Sequence, residues 1–115
     1  MALQNIADVA AALSSFAKER DWDAFHMPKN LAAALSVEAS EVLEHFQWLT
    51  DEQARSLGAD KKEEVAMELA DVFLYLVRLS DRLGVDLLQA AERKMAINAK
   101  NYPAGFTRGG IRKKS

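Results

Sequence analysis

Two pairs of carboxylates stand out by their spacing, Glu38-x-x-Glu41 and Glu68-x-x-Asp71. Residues three apart on a helix project to nearly the same side, so each pair forms a two-carboxylate claw. The two claws also share a register. Displacing the chain by 30 positions lays Leu35 on Val65, Glu38 on Glu68, Glu41 on Asp71, Val42 on Val72 and His45 on Tyr75. Both segments therefore show their acids at the same angle to an apolar stripe. In the second segment Met67 and Leu74 add an apolar edge beyond the acids, which argues against a face turned to open water. Carboxylates about 4 Å apart repel by ~4 kcal/mol at an effective dielectric near ~20, so gathering four of them in a half-buried groove calls for a cation. The chain has no cysteine, and oxygen-only ligation favours Mg²⁺, with Mn²⁺ as a substitute. A di-iron site would need Glu-x-x-His pairs, which neither segment has. For either claw alone, a solvated acidic face remains the alternative.

These acids must be carried on helices, and the apolar periodicity places them there. Leu3, Ile6, Ala10, Leu13, Phe16 and Ala17 predict a first helix over 3–20. A loop follows, with Trp22, Phe25, His26 and Pro28. A second helix is expected to open near Asn30 and to carry Leu31, Leu35, Ala39, Val42 and Phe46 on one face. Thr50 with Gln53 reads as a capping box in a connector over 50–58, and Asp60 with Glu63 repeats that signature after Gly58. The third helix bears Val65, Leu69, Val72, Leu76, Leu79 and Leu83 and stops at Gly84. Asp86 caps a fourth helix over 87–101, which ends before Pro103. No segment alternates with period two, so the expected fold is an all-α four-helix bundle. One domain covers 1–103, and 104–115, with Arg108, Arg112, Lys113 and Lys114, reads as a basic flexible tail.

Bulk properties narrow the chemistry. With 115 residues the chain accommodates one small domain. A net charge of −2 gives no electrostatic footprint for duplex nucleic acid. No apolar run reaches the ~18 residues of a membrane span, and the first residues lack the pattern of a signal peptide. The expected location is cytoplasmic.

Hard ions such as Mg²⁺ keep waters and are usually completed by substrate phosphates, and several further residues could serve a ligand of that kind or simply pack or cap the fold. Trp22 and Trp48 can pack in a core or stack on a base, and beside a metal-phosphate site stacking is the better reading. His26 and Asn30 are each divided between a ligand contact and a structural hydrogen bond or helix cap. Tyr75, one turn beyond Asp71, can contact a sugar and reject a 2′-hydroxyl. Lys94 and Asn98 lie one turn apart, with Tyr102 a turn further, as a polar ladder for phosphates or a solvated face.

Taken together, Glu38, Glu41, Glu68 and Asp71 match the E-x-x-E, linker, E-x-x-D signature of the MazG-like all-α nucleoside triphosphate pyrophosphohydrolases, which the chain resembles. Glu19–Trp22 with Phe25-His26, Asn30-Leu31, Phe46–Trp48, Lys94-Met95, Ile97-Asn98 and Tyr102-Pro103 extend the resemblance, most nearly to the branch acting on dCTP. At Leu13 the chain departs from that branch, which carries a polar histidine there. The resemblance implies Mg²⁺-dependent hydrolysis of a deoxynucleoside triphosphate, dCTP or a modified dCTP, to monophosphate and pyrophosphate. The four acids would hold the metal and one of them, Glu38 for choice, would act as general base. The two tryptophans would line the base pocket, and the particle would be a homotetramer in which the fourth helix of one subunit completes the phosphate site of another. The rival expectation is a non-catalytic helical module that oligomerises through the same apolar stripes.

Overall fold

The structure is a computed structural model that describes residues 1–105. Within them the chain is all-helical: α1 (Ile6–Glu19), α2 (Pro28–Glu44), α3 (Asp51–Arg55), α4 (Ala59–Arg82) and α5 (Leu87–Asn101). The basic residues of the expected tail, from Arg108 onward, lie outside the described residues. The chain divides into two compact units, one over Met1–Gly84 with α1 to α4, the other beginning at Val85 and containing α5.

α1 and α5 begin where a side chain satisfies a free N–H group of the first turn. Asn5 accepts from Asp8 N at 2.8 Å to start α1, and Asp86 accepts from Gln89 N at 3.0 Å to start α5. α2 opens at Pro28, two residues earlier than the sequence predicts. Proline has no N–H to leave unpaired and its φ is already helical, so it takes the first helical position with Met27 as cap. α4 likewise begins earlier than its expected capping box, at Ala59 with Gly58 as N-cap, which leaves Asp60 inside the first turn. There its charge still complements the helix dipole.

The capping box at Thr50 forms in full: Thr50 Oγ1 accepts from Gln53 N at 3.2 Å, and Gln53 Oε1 accepts from Thr50 N at 2.9 Å. It turns part of the connector into the single short helix α3. Thr50→Ala should therefore lower stability by ~1 kcal/mol, read as a fall in the urea midpoint at unchanged slope. An unchanged midpoint would mean that α3 opens independently of the core.

α2 ends at Glu44, so Phe46 does not lie on it as expected; Phe46 and Trp48 both fall on the tight turn that follows. That turn is closed by bonds from Phe46 N to Leu43 O and from Leu49 N to Phe46 O, both 2.9 Å, which curl the chain toward its next cap at Thr50. At the far end, Gly84 follows α4 with φ +68, a left-handed conformation that glycine adopts without strain and that stops the helix as the sequence predicts.

In the first unit α4 packs along α2 and, over a shorter length, α1. The core consists of Val9, Ala17, Leu31, Val65 and Val77. The buried face of α4 is thus rotated from the predicted stripe. Val65 is on it, but Leu69 and Leu83 are more than half exposed, while Val77, Arg78 and Ser80 are buried. Ser80 keeps its hydroxyl satisfied by donating to Leu76 O at 2.9 Å. The burial of Arg78, a charged side chain in a core position, is the departure with the most consequence.

Candidate functional site

α2 and α4 lie side by side, and the shared register of their sequences brings the two claws together. One carboxylate oxygen each from Glu38, Glu41 and Glu68 lies within 4.8 Å of the others. Asp71 is close enough for its charge to act on both Glu38 and Glu68. All four acids are half-buried, as the apolar residues beside them predict. The crowding shows in their acidity. Glu38 is pushed up to about 7 by a hydrogen bond shared with Glu41, by burial, and by the charges of Glu41, Asp71 and Glu68. Glu68 is raised by burial, by its hydrogen bond with Glu41 and by the charges of Glu41 and Asp71, while His45 pulls it the other way. Glu68 Oε2 is shut off from solvent with no hydrogen-bond partner. A buried acceptor without a donor, amid carboxylates that hold protons to relieve repulsion, is the condition a hard divalent cation would correct. The donor set fits such an ion.

Asp71 has a second neighbourhood. It lines a pocket of about 170 Å³ together with Leu13, Phe16, Trp22, His26, Leu74, Tyr75 and Arg78. Trp22 meets Phe16 edge-on, with ring centroids 5.5 Å apart and planes at 66°, and lies 5.8 Å from the His26 ring. Its indole is 41% exposed, so one flank stays open to a ligand. The pocket therefore offers aromatic and aliphatic walls beside an acidic cluster.

The loop that supplies Trp22 and His26 leaves α1 through Asp21, whose φ of 58 is left-handed and which, as an aspartate, tolerates it better than most residues. Two arginines one turn apart on α4 hold this loop. Arg78 donates from Nε to His26 Nδ1 at 3.1 Å and from Nη2 to Asp23 Oδ1 at 2.9 Å. Arg82 donates from Nε to His26 O at 3.1 Å and from Nη2 to Asp23 O at 3.4 Å. Neither arginine was singled out in the sequence. The available signal was their spacing: Glu68, Asp71, Tyr75, Arg78 and Arg82 follow one another at intervals of three and four residues, one continuous face of α4.

The remaining candidates are placed as follows. Asn30 sits in the first turn of α2 and donates from Nδ2 to Phe25 O at 3.1 Å, bracing the same loop. Trp48 is 86% exposed and does not line the pocket. Lys94 and Asn98 lie on α5 and Tyr102 at its C-cap, in the second unit. Asn98 Oδ1 is buried with no hydrogen-bond partner.

An all-helical fold with facing E-x-x-E and E-x-x-D claws defines a recognisable class, and a model of the MazG-like family matches residues 33–109. The chain belongs to the MazG-like family. It is 44% identical over 108 residues to dCTP pyrophosphatase 1 of Homo sapiens, covering 92% of this chain and 64% of that protein. With dCTP pyrophosphatase 1 of Bos taurus the identity is 42% over 104 residues, covering 89% and 62%. The chain thus spans less than two thirds of the length of these curated relatives. Among solved structures it is similar to a pyrophosphatase from Archaeoglobus fulgidus, with a TM-score of 0.69, 32% identity, and coverage of 90% of this chain and 96% of that one.

Proposed function

We propose that this protein hydrolyses deoxynucleoside triphosphates, dCTP or a modified dCTP foremost, to the monophosphate and pyrophosphate, and so cleanses the nucleotide pool. The observation that carries this reading is the position of Asp71, which belongs at once to the acidic cluster and to the aromatic pocket. A ligand held at both must have a ring at one end and a group that seeks divalent cations at the other, and a nucleotide has both. The relatives named above are pyrophosphatases, two of them named for dCTP, which supports the same reading.

Glu38, Glu41, Glu68 and Asp71 would hold Mg²⁺, or Mn²⁺ in its place, which when bound offsets phosphate charge and acidifies a water. Water attacks the α-phosphorus, the bond from that phosphorus to its bridging oxygen breaks, and pyrophosphate leaves. The attacking water gives its proton to a carboxylate, for which Glu38, beside Glu41, Glu68 and Asp71 in the cluster, is the choice. Trp22 stacks on the base and Tyr75 meets the sugar, where it disfavours a 2′-hydroxyl. His26 binds the base, and Asn30 keeps the loop in place for it. Lys94, Asn98 and Tyr102 act on the phosphates.

The particle is a homotetramer in this reading. Leu43, Trp48, Met67 and Leu69 are each more than half exposed in the single chain, an apolar surface that a second copy would cover. Trp48 would then reach a base from across that contact. The protein acts in the cytoplasm, without duplex nucleic acid or membrane as partner. No helix among the described residues is long and apolar enough to cross a bilayer. The domain is 1–103, with a basic tail after it.

The test is a panel of the four dNTPs, 5-methyl-dCTP and CTP with Mg²⁺, scored for pyrophosphate. The expected result is release from the deoxycytidine nucleotides above the rest. Release from none, with a folded oligomer in solution, would favour the non-catalytic module instead. Trp22→Ala should raise KM for dCTP by about 10- to 100-fold, the value of one stacked base, with kcat less affected. An unchanged KM would make Trp22 a wall and nothing more.

A further inference from the structure

Arg78 is buried to 3% exposure, and its guanidinium meets the pocket from the α4 side. Arginine carries donors only. The His26 nitrogen that faces Arg78 Nε at 3.1 Å must therefore present its lone pair, since a proton there would set N–H against N–H. Only one arrangement of the ring satisfies this: a neutral imidazole with its single hydrogen on Nε2. The charged groups around the ring agree. Burial and the positive charges of Arg78 and Arg82 lower the basicity of His26, outweighing Asp23, which raises it. From α4, Asp71 and Tyr75 line the same pocket.

We propose that Arg78 is a positioning residue for base recognition: it fixes His26 in the Nε2–H tautomer, so that the pocket offers a hydrogen-bond donor to an acceptor on the base, such as the ring nitrogen or carbonyl oxygen of cytosine. This rests on reading the pocket as a nucleotide site. Leu13, Phe16 and Leu74 contribute no polar group to it. Besides His26, the polar groups of the lining belong to Trp22, Asp71, Tyr75 and Arg78, and a histidine free to exchange tautomers would present a donor only part of the time. Arg82 does a different job. Its bonds go to the carbonyl oxygens of His26 and Asp23 and to Met27 Sδ, so it holds the loop and leaves the ring alone. Both arginines thus anchor the loop, Arg78 through Asp23 Oδ1 and Arg82 through the backbone, but only Arg78 bonds the His26 ring.

The experiment is nitrogen-15 NMR of the histidine rings in the full chain at pH 7.5, assigned with His26→Gln, followed by titration with dCMP. Wild-type protein should show His26 with Nδ1 unprotonated and Nε2 protonated, and dCMP should shift the Nε2 signal. Arg78→Met should show mixed tautomers, with dCMP affinity about tenfold weaker and KM for dCTP raised to match at similar kcat, as for one lost hydrogen bond. Arg78→Lys, which restores a donor toward Nδ1, should recover the tautomer and much of the affinity. Arg82→Lys should leave the tautomer unchanged. If Arg78→Met fails to fold, the wild-type spectrum and the Arg78→Lys and Arg82→Lys variants still decide. A wild-type ring protonated on Nδ1, or a His26 signal that ignores dCMP, overturns the proposal. So does dCMP affinity unchanged in a variant whose tautomers are mixed. Wild-type protein that binds dCMP through His26 and yet hydrolyses no triphosphate would instead remove the proposed activity and leave this inference standing.

Discussion

Glu41→Gln protein releases no pyrophosphate from dCTP at any Mg²⁺ concentration, and in the presence of a chelator it melts at a higher temperature than the wild type. Both effects follow from the place of Glu41 at the centre of the cluster. It shares a hydrogen bond with Glu38 and another with Glu68, and its charge raises both. Without metal that charge is a burden. Removing it should stabilise the chain by ~1 kcal/mol, which for a domain of this size is about 4 to 8 °C. If the acids hold the cation as proposed, the same substitution removes one of its ligands. Turnover and metal-free stability should thus move in opposite directions, which damage to the fold would not produce. The pH dependence has a defined sign. A carboxyl whose folded pKa lies above its unfolded value contributes stability that is fully present below the unfolded value and lost as pH rises through the folded one. For Glu38 that window runs from 4.5 to about 7. Chelated wild-type protein should therefore melt lower at pH 8 than at pH 5, and Glu41→Gln should narrow the gap. Wild-type turnover by Glu41→Gln in excess Mg²⁺ would remove the acids from the chemistry.

Inactive Glu41→Gln protein mixed with inactive Lys94→Ala protein recovers activity once subunits exchange. This is the expected result if the acids of one chain work with Lys94 of another, since some hybrid sites then contain both intact residues. The premise is that triphosphate needs a positive partner opposite the acids, and Lys94 is the basic residue of the polar ladder on α5. Measured as pyrophosphate release before and after exchange, the change is from background to a sizeable fraction of wild type. No recovery, with exchange verified by mass spectrometry, confines the site to one chain. A protein that is monomeric by light scattering at micromolar concentration and active on dCTP would refute the shared site directly.

The acids were legible because helix geometry is simple. Two residues three apart share a side, and an identical offset from the apolar stripe in two helices forces the pairs to face the same way if the helices pack. Thr50, Asp86 and Gly84 were legible for a similar reason, since caps and stops depend on a few neighbouring residues. Where α2 ends was not. Its periodicity runs on through Phe46, while the demand for a cap at Thr50 draws the chain into a turn at His45. Arg78 was missed because its burial depends on partners 52 and 55 residues away, which no local pattern encodes. Leu69 and Leu83 illustrate the reverse, apolar residues on a regular stripe that the single chain leaves exposed.

α4 is one unbroken helix, and it carries both Asp71, at the acids, and Arg78, at the ring end of the pocket. Seven residues of helix separate them by ~10 Å along the axis. Backbone hydrogen bonding keeps that span constant, so the helix works as a gauge of length. If the pocket takes a nucleotide as proposed, the ligand must match that span to reach the cation held by the acids with its phosphates and His26 with its base at once. Deleting or inserting one residue between Asp71 and Arg78 would alter the span by only ~1.5 Å but would turn one end by ~100° against the other. Each half would keep its own composition while losing its alignment with the other. A chain altered in this way should retain divalent-cation binding at the acids and discriminate poorly between nucleotides.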